Sequence, residues 1–381
     1  MKKICFVVAS PMTALVFLLP HLKILSANYE IHVVANTTEV GFLKRNGVDI
    51  SITYIPIQRF IAVLTDLYAL FLLYFFYRRQ QFDAVHSVTP KAGLLAMSAA
   101  WMARVPVRVH IYTGQVWATK TGYRRYWLKT FDKWIAYCST HILIDSGSQR
   151  EFLLTEGVVS ANNSVVLRAG SICGVNLDRF RPDLSARNSI RMKYSIPDAA
   201  IVLLFLGRMN SEKGILDLLE AFEILFPNLP NLWLLLVGQD EQNIKESIEG
   251  ASKRCDGRIV EVGSTFEPEQ FMAAADIFCM PSYREGFGSS VIEAAACGIP
   301  AVASRIYGLT DAVDEGITGL LHPPHNPKKL AECIEALALN DELRYKMAYA
   351  CRERCARLFD QRLLTSEMYS YYQKILEKNS V

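Results

Sequence analysis

The chain has 381 residues, of which 51% are hydrophobic and 21% charged, and its formal net charge is +3 at pH 7. This length is too great for one ordinary hydrophobic core and sufficient for two. The small net charge, without a basic repeat or a nucleic-acid-binding motif, disfavours nucleic acid as a partner. The nine cysteines are scattered without CxxC pairs or metal-ligand spacing, which indicates reduced thiols in a cytoplasmic protein.

The first residues, MKKICFVVASPMTALVFLLPH, imitate a secretory signal peptide because two lysines precede an apolar run. Ser10 and Pro11 cut that run short. A signal peptide needs a longer continuous apolar region. We therefore interpret ICFVVAS as the first buried strand and expect no cleavage here.

Apolar runs of strand length alternate with helix-like segments, a pattern typical of doubly wound parallel α/β sheets. The strands predicted in the first half are 3–9, 29–35, 49–55, 84–87, 107–112, 141–145 and 164–167. Residues 170–182 are expected to form a hinge. The strands predicted after it are 200–206, 232–238, 259–263, 277–281 and 300–303, and a last helix is expected at about 361–377.

The segment 61–77, IAVLTDLYALFLLYFFY, begins at Ile61, ends at Tyr77 and contains one charged residue, Asp66. A membrane span needs about 20 apolar residues, and a carboxylate near the bilayer centre costs ~3 kcal/mol. The chain also returns at once to a strand. We favour a helix packed in the first domain or lying partly in the membrane face, with a purely buried helix and a transmembrane span as alternatives.

The segment 120–137, KTGYRRYWLKTFDKWIAY, begins at Lys120, ends at Tyr137 and interleaves basic with aromatic side chains. The residues concerned are Lys120, Arg124, Arg125, Lys129 and Lys133, and Tyr123, Tyr126, Trp127, Phe131 and Trp134. This combination suits an anionic lipid surface, where each basic residue contributes ~1 kcal/mol. An ordinary amphipathic helix with solvated charges is the alternative. Single-stranded nucleic acid also binds such patterns, but nothing else in the chain supports it.

In the second half, LLFLGRMNSEKG places a basic pair after a buried strand. The strand ends at Gly207, Arg208 stands at its carboxyl end, and Lys213 and Gly214 open a helix. Open α/β sheets bind ligands in this crevice. Arginine offers a planar fork of donors and lysine a mobile point charge, which together suit a diphosphate. Solvated side chains at a helix start are the alternative.

The nonapeptide EGFGSSVIE follows another predicted strand and opens a further helix. Backbone N–H groups at a helix start bind anions, assisted by roughly half a positive charge from the helix dipole. Gly286 and Gly288 lack the Cβ atoms that would keep an anion from the backbone. Glu285 and Glu293 can then hold hydroxyl groups on either side of a diphosphate. A solvated acidic pair is the alternative, but the two glycine-containing turns together favour a two-sided diphosphate site.

These motifs, in this order, resemble the family 4 retaining glycosyltransferases of the GT-B fold. The resemblance covers residues 174 to about 337 and is carried by GVNLDRFRP, GRMNSEKG, LWLLLVGQD, RIVEVGS, ADIFCMPSYREGFGSSVIEAAACGIPAVAS and EGITGLLHPPHNPKKLAECIEAL. The first half is similar, more loosely, to the bacterial branch that adds sugars to polyprenyl-diphosphate-linked intermediates of surface glycans.

The resemblance implies two Rossmann-like doubly wound α/β domains facing a central cleft. Residues 1–170 would form the acceptor domain, 171–360 the nucleotide-sugar domain, and 361–381 a helix that crosses back to the first domain. The implied donor is a UDP-sugar, such as a UDP-hexose or UDP-N-acetylhexosamine, and the implied acceptor is a polyprenyl-diphosphate-linked saccharide. The nucleotide sugar is a co-substrate, so no cofactor is expected.

The family's site residues carry over onto matching positions. Arg208 and Lys213 would neutralise the departing nucleoside diphosphate, Glu285 would face the donor sugar, and Glu293 would bind the ribose hydroxyls. The backbone positions implied for the phosphates and the base are Gly207, Gly286, Phe287, Gly288, Ser289 and Ser290, and Val262 and Gly263. No DxD-type metal pair stands in a suitable loop, so we expect a metal-independent reaction. The resemblance implies that the anomeric configuration is retained.

The acceptor side departs from the family pattern. Many relatives carry a histidine in the loop after the fourth or fifth strand, whereas this loop reads HIYTGQVWATKTG, with His110 inside the strand and Gln115 after Gly114. We favour a core role for His110 over a catalytic one. The first loop lacks the family's paired glycines, so Ser10 and Thr13 are the candidates there for binding a phosphate.

The sequence thus predicts a retaining glycosyltransferase, peripheral on the inner face of the cytoplasmic membrane, which it contacts through segments 61–77 and 120–137. One alternative is a nucleotide-sugar-binding partner subunit without turnover, although the retention of all four charged site residues disfavours it. The other is a GT-B epimerase, which would have no need of membrane-facing segments.

Overall fold

The computed structural model describes residues 1–39, 41–58 and 60–377. The chain divides into two units. Unit 1 consists of Met1–Cys173 and the C-terminal residues from Gln361, and unit 2 of Gly174–Asp360. The division at Gly174 falls inside the segment 170–182 in which the hinge was expected.

Unit 1 is built on one sheet of seven parallel strands. They are β1 (Lys3–Val7), β2 (Glu30–Ala35), β3 (Ser51–Tyr54), β4 (Ala84–Val88), β5 (Val107–Tyr112), β6 (His141–Ile144) and β7 (Ser164–Val166). Their order is β3-β2-β1-β4-β5-β6-β7. The chain therefore winds outward from β1 in one direction and then from β4 in the other.

The helices of unit 1 up to residue 155 cover both faces of this sheet, and each face has its own apolar core. They are α1 (Pro11–Thr13), α2 (Leu19–Leu25), α3 (Val63–Gln80), α4 (Pro90–Met102), α5 (Gly122–Cys138) and α6 (Gly147–Thr155). A π-helical turn, Ala14–Leu18, joins α1 to α2. Pro90 begins α4, where its missing N–H and fixed φ are well tolerated.

Unit 2 contains a second parallel sheet, of six strands. They are β8 (Ile201–Leu206), β9 (Leu232–Val237), β10 (Ile259–Gly263), β11 (Ile277–Met280), β12 (Ala301–Ser304) and β13 (Gly319–His322). The order is β10-β9-β8-β11-β12-β13. The runs IVLLFL and LWLLLV are almost entirely buried, as expected for parallel strands covered on both faces.

The helices of unit 2 pack on this sheet, with α8 against α13 over one large apolar core. They are α7 (Leu184–Lys193), α8 (Ile215–Leu225), α9 (Lys245–Arg254), α10 (Pro268–Ala274), α11 (Ser289–Ala296), α12 (Leu309–Ala312), α13 (Pro327–Ala338) and α14 (Asp341–Arg354). Buried Arg191 of α7 donates a 2.8 Å hydrogen bond to Asp276, beside β11, which fixes this helix to the sheet.

The last helix, α15 (Gln361–Glu377), packs against α2 in unit 1. Tyr372 is fully buried there, and its hydroxyl lies 2.7 Å from Nδ1 of His86. Although α15 follows unit 2 in sequence, it completes the core of unit 1.

The doubly wound parallel architecture is confirmed, and every predicted strand is present within about two residues of its predicted bounds. The sequence analysis missed β13. This strand has only four residues, GLLH, and the turn before it places Glu315 in a bridge with Gly319. Such a short apolar run is hard to distinguish from a loop. The nine cysteines are free thiols, and eight of them are buried.

Candidate active site

The predicted donor-site residues of unit 2 meet where the sheet order reverses. β8 and β11 are adjacent, with Ile277 paired to Leu203, although β9 and β10 separate them in sequence. Arg208 and Lys213 follow β8, and Glu285 follows β11. The carboxyl ends of two neighbouring strands that diverge in this way form a ligand crevice. The structure therefore brings together the two turns that the sequence analysis singled out.

The turn after β8 touches the loop after β11 at Gly214. This glycine has φ +67°, and a Cβ atom added to it would lie 2.0 Å from the carbonyl oxygen of Pro281. Lys213 immediately precedes it, and its Nζ forms an ion pair with Oε1 of Glu285. The same oxygen accepts a 2.9 Å hydrogen bond from the hydroxyl of Ser282. These two predicted site residues therefore neutralise each other.

A second connection between the same two segments was not predicted. Arg284 forms a 2.5 Å ion pair with Glu212, and the backbone N–H of Tyr283 donates a 2.8 Å hydrogen bond to the carbonyl of Glu212. These residues directly precede Glu285 and Lys213. The only sequence signal was that an acidic–basic pair, Glu212 and Lys213, matches a basic–acidic pair, Arg284 and Glu285. This match has meaning only when the two segments are known to be adjacent.

Arg208 forms an ion pair with Glu241, another residue absent from the prediction. Its Nη1 donates to Oε2 at 2.8 Å and to Oε1 at 3.0 Å, and Nδ2 of Asn210 donates to Oε2 at 2.9 Å. The arginine side chain is 49% exposed. Glu241 lies beyond the carboxyl end of β9, the strand next to β8, so its position at the same edge of the sheet was the signal available.

The helix start at α11 has the close-packed backbone expected of an anion site. Gly288 precedes the helix with φ +89°, and an added Cβ would lie 2.5 Å from Cδ2 of Leu309. A Cβ on Gly308 would lie 2.5 Å from the carbonyl oxygen of Gly286. Phe287 is buried, with its ring 5.3 Å from that of Phe359. Any larger residue at Gly288 or Gly308 would therefore clash with neighbouring residues.

The first residues of α11 are Ser289 and Ser290, both partly buried. Among the described residues, no side chain caps this helix start. The first N–H groups of a helix have no partner within the helix. Phosphate binding by these N–H groups stays a prediction.

Glu293, one helical turn further along α11, is partly buried. Burial raises the pKa of its carboxyl group to about 7, with Arg179 opposing the shift and Glu269 adding to it. Within the described ranges, no hydrogen bond or ion pair joins this carboxylate to another residue. A desolvated carboxylate without a protein partner has unused capacity to accept hydrogen bonds, which suits hydroxyl groups of a ligand.

The remaining predicted donor-site residues are backbone positions. Gly207 lies in close contact with Gly238, since a Cβ on Gly238 would lie 1.8 Å from the carbonyl oxygen of Gly207. Val262 and Gly263 end β10, which β9 separates from β8. The carbonyl of Gly263 already accepts a 2.8 Å hydrogen bond from the N–H of Gly238. Backbone recognition of the base by Val262 and Gly263 stays a prediction.

In unit 1, the acceptor-side candidates after β5 are buried. His110 is inaccessible to solvent, its Nδ1 lies 2.8 Å from the hydroxyl of Ser87, and burial lowers its pKa to about 3. Gly114 and Gln115 are buried as well. The side chain of Gln115 accepts a 3.0 Å hydrogen bond from Gln149. These positions favour the core interpretation of His110 and leave Gln115 occupied within the protein.

Ser10 and Thr13 lie beyond the carboxyl end of β1, beside the point where the order of the unit 1 sheet reverses. Both are partly buried, and the N–H of Thr13 donates to the carbonyl of Ser10 at 3.1 Å. The structure therefore places them at a switch point but gives no further sign of a phosphate site.

The helix α3, which covers most of segment 61–77, is buried on one side only. Ala69, Leu73 and Tyr77 are buried, whereas Leu64 and Phe71 are 84% and 58% exposed. The alternative of a purely buried helix is therefore wrong. In the part of the chain that the structure describes, no helix combines the length and apolar character needed to cross a membrane.

The helix α5, from segment 120–137, corrects one part of the lipid interpretation. Arg125 and Lys129 bind Glu156 at 2.7 and 2.6 Å, and their charges lie 4.9 and 5.7 Å from the ring centre of buried Trp117. These two basic residues hold the loop after β5 and are not free to meet lipid. Arg124 and Lys133 remain exposed.

The two doubly wound parallel sheets define an α/β protein of two Rossmann-like domains. Comparison with protein families agrees. A model described as "Glycosyl transferases group 1" matches residues 186–354, and one described as "Glycosyl transferase 4-like domain" matches residues 23–170. Together they cover most of the chain. The protein therefore belongs to these glycosyltransferases, which confirms the resemblance.

Two relatives and a solved structure support the same conclusion, each over more than two thirds of the chain. The capsular polysaccharide biosynthesis glycosyltransferase CapM of Staphylococcus aureus is 28% identical over 355 residues, or 92% of each chain. The UDP-Gal:alpha-D-GlcNAc-diphosphoundecaprenol alpha-1,3-galactosyltransferase of Escherichia coli is 25% identical over 69% of this chain and 68% of its own. The solved structure of Anabaena Alr3699/HepE with UDP-glucose matches with a TM-score of 0.82 at 19% identity, over 98% of this chain and 100% of that one. The GT-B fold is thereby confirmed.

Proposed function

We propose that this glycosyltransferase moves a sugar from a UDP-sugar to a polyprenyl-diphosphate-linked saccharide during synthesis of a surface polysaccharide. The transfer retains the anomeric configuration and requires no metal. The observation that carries the proposal is the Lys213–Glu285 ion pair at the crevice between β8 and β11. It places a cation for the leaving diphosphate next to a carboxylate for the sugar.

The diphosphate of the donor competes with Glu285 for Lys213. When phosphate oxygens bind Lys213, the carboxylate of Glu285 is released to accept hydrogen bonds from sugar hydroxyls. Arg208 and the first N–H groups of α11 supply further donors for the phosphates. Each charge-assisted contact contributes ~1.5–3 kcal/mol. These contacts strengthen as negative charge develops on the departing nucleoside diphosphate, which is the condition for accelerating the reaction.

Glu293 binds the ribose of the nucleotide. Its carboxylate has no hydrogen-bond or ion-pair partner among the described residues, and it can accept hydrogen bonds from two neighbouring hydroxyls. Burial raises the pKa of this carboxyl group to about 7, and ribose hydroxyls that donate to the ionised form would lower that pKa on binding.

The names of the relatives support the choice of substrates. The E. coli relative is named for a UDP-sugar donor and a diphosphoundecaprenol-linked acceptor, and the HepE structures contain UDP or UDP-glucose. CapM is named for capsular polysaccharide biosynthesis. Within the described residues, no group of three or more His, Cys, Asp or Glu side chains could hold a metal ion. Metal independence itself stays a prediction.

We propose that unit 1 binds the inner face of the cytoplasmic membrane through an aromatic face formed by α3, α4 and α5. The helix α4 packs against both of the others. The exposed apolar residues of this face are Leu64, Leu67, Phe71, Phe75, Trp101, Tyr123, Tyr126, Trp127, Trp134 and Tyr137. So many exposed large apolar side chains on three packed helices indicate an interaction site. Exposed Arg78, Arg79, Arg124 and Lys133 match the negative charge of an anionic leaflet.

Flotation with liposomes tests the membrane proposal. The wild type and Phe71→Glu should be compared on vesicles with and without about 30% anionic lipid, with Tyr345→Glu as the control, since Tyr345 is exposed on α14 of unit 2. We expect Phe71→Glu to weaken binding and the control to leave it unchanged. Equal binding by all three proteins would contradict the proposal.

The catalytic proposal is tested by incubating the protein and a short polyprenyl-diphosphate sugar with a panel of UDP- and GDP-sugars. Release of nucleoside diphosphate and the mass of the acceptor are followed. We expect one sugar to be added from a UDP donor and both Lys213→Ala and Glu285→Gln to lose most of the activity. Arg305→Ala is the control, because the Arg305–Glu315 ion pair is exposed.

Two other outcomes would favour the alternatives. Donor binding without extension of any acceptor would indicate a nucleotide-sugar-binding partner subunit. Release of a free, epimerised sugar would indicate an epimerase.

A further inference from the structure

The side chain of Arg208 forms hydrogen bonds through only one nitrogen of its guanidinium group, as far as the described residues are concerned. Both contacts with Glu241 are made by Nη1, and in the described part of the chain no other hydrogen bond or ion pair involves this guanidinium. Among the described residues, Nε and Nη2 therefore have no hydrogen-bond acceptor. Their N–H bonds are parallel and form the fork that matches two oxygens of one phosphate.

Glu241 is itself held in place. Its Oε2 accepts a 2.9 Å hydrogen bond from Asn210, and its backbone N–H donates a 3.0 Å hydrogen bond to the carbonyl of Met209. Met209 is fully buried and forms a bridge with Asp240. The carboxylate is thus attached through the backbone to the same turn that carries Arg208.

We propose that Glu241 is a positioning residue, which with Asn210 orients Arg208 so that its Nε–Nη2 fork faces the diphosphate of the donor. The inference rests on the proposed function, since it assumes that Arg208 binds the leaving group. A half-exposed arginine samples many rotamers, and ordering it costs conformational entropy. If the side chain is already fixed before the reaction, this entropy is not lost on reaching the transition state. Glu241 acts through Arg208 and does not touch the donor.

The negative charge of Glu241 makes the proposal distinguishable from simple charge neutralisation. A carboxylate near a phosphate site weakens anion binding through repulsion. If Glu241 only neutralised Arg208, its removal would tighten binding of UDP and leave or increase turnover. If it positions Arg208, its removal lowers turnover although UDP binds as well as before, because the loss falls on the transition state.

The test compares Glu241→Ala, Glu241→Gln, Arg208→Ala and the Arg208→Ala/Glu241→Ala double variant. The control is Glu249→Ala, because Glu249 forms an exposed ion pair with Lys245 on the nearby α9. The measurements are kcat, the KM for the UDP-sugar and the Kd for UDP by calorimetry. Thermal melts show that each variant is folded.

We expect Glu241→Ala to lower kcat by about tenfold or more and to leave the Kd for UDP unchanged or lower. Glu241→Gln keeps an oxygen that accepts from Nη1, so it should recover most of kcat. In a protein that already carries Arg208→Ala, adding Glu241→Ala should not lower kcat any further. The Glu249→Ala variant should behave as the wild type.

An unchanged kcat in Glu241→Ala, or an equal loss in the Arg208→Ala background, would overturn the inference. Either result, with an active wild type, would leave the proposed function intact. If the wild type shows neither UDP binding nor transfer, the proposed function itself fails and this inference falls with it.

Discussion

The close contact at Gly214 gives a prediction that separates the shape of the site from its charges. In Gly214→Ala, the new Cβ would lie 2.0 Å from the carbonyl oxygen of Pro281, whereas an unstrained contact needs roughly 3.5 Å. The turn or the loop must therefore move by about 1–1.5 Å. Lys213 and Glu285 lie on these two segments, and a displacement of ~1 Å at a reacting group can cost about 100-fold in rate.

Gly257→Ala is a matched control for the backbone. Gly257 also has a positive φ, +74°, but nothing lies within 4 Å of an added Cβ. Both substitutions should lower the free energy of unfolding by ~1–2 kcal/mol, because alanine is strained in the left-handed conformation. Only Gly214→Ala adds a steric clash with the carbonyl oxygen of Pro281. We expect Gly257→Ala to lose ~1–2 kcal/mol of unfolding free energy with full activity.

Gly214→Ala should lose more stability than the control and about 100-fold in kcat/KM. The assays are urea denaturation of both variants and steady-state transfer with a UDP-sugar. Equal losses of stability and activity in the two variants would show that the contact between the turn and the loop does not shape the site.

Three further predictions concern buried charged and titratable groups. UDP affinity should fall as the pH drops below about 7, because burial raises the pKa of Glu293 to about 7 and ribose hydroxyls donate to its ionised form. Glu293→Gln should flatten this profile, and a flat wild-type profile from about pH 6 to 8 would contradict the assignment. Burial lowers the pKa values of His86 and His110 to about 3, so the folded state binds fewer protons than the unfolded one. The contribution of these two histidines to the free energy of unfolding is complete above the unfolded pKa of ~6.5. As the pH drops from there towards 3, the free energy of unfolding falls by up to ~1.4 kcal/mol per pH unit for each histidine. Urea denaturation of the wild type and His86→Gln should show a shallower loss in the variant, and identical slopes would refute this account. Arg191→Met should destabilise unit 2 by ~1–3 kcal/mol, because the buried carbonyls of Ala274 and Ala200 lose a donor while Asp276 keeps its ion pair with Arg187. A urea-measured loss below about 0.5 kcal/mol would contradict this expectation.

The fold was predictable because parallel strands that are buried on both faces have nearly continuous hydrophobic sequences. Runs such as IVLLFL and LWLLLV identify strands without knowledge of their neighbours. The glycines of the two turns were equally informative, since Gly214 and Gly288 both adopt positive φ. The four-residue strand β13 lacked the length that makes this signal reliable.

The ion-pair partners were not predictable from local pattern. Glu241 is 33 residues from Arg208, Glu156 is 31 residues from Arg125, and Glu212 is 72 residues from Arg284. Periodicity describes which face of an element a residue occupies and contains no information on such distant pairs. As a result, the lipid interpretation of segment 120–137 included every basic residue, although Arg125 and Lys129 form ion pairs with Glu156.

The return of α15 to unit 1 determines how the protein can be divided. Unit 2 is one continuous stretch, Gly174–Asp360, so it can be excised with a single pair of cuts. Unit 1 cannot be isolated by truncation after Cys173, because that fragment would lose Tyr372, the partner of His86, together with buried Met368 and Leu376. A stable unit 1 requires a short linker from Cys173 to Gln361, or α15 supplied as a separate peptide. Unit 2 is in effect an insertion within unit 1, and the two units can be produced and studied separately once the protein is split along that boundary.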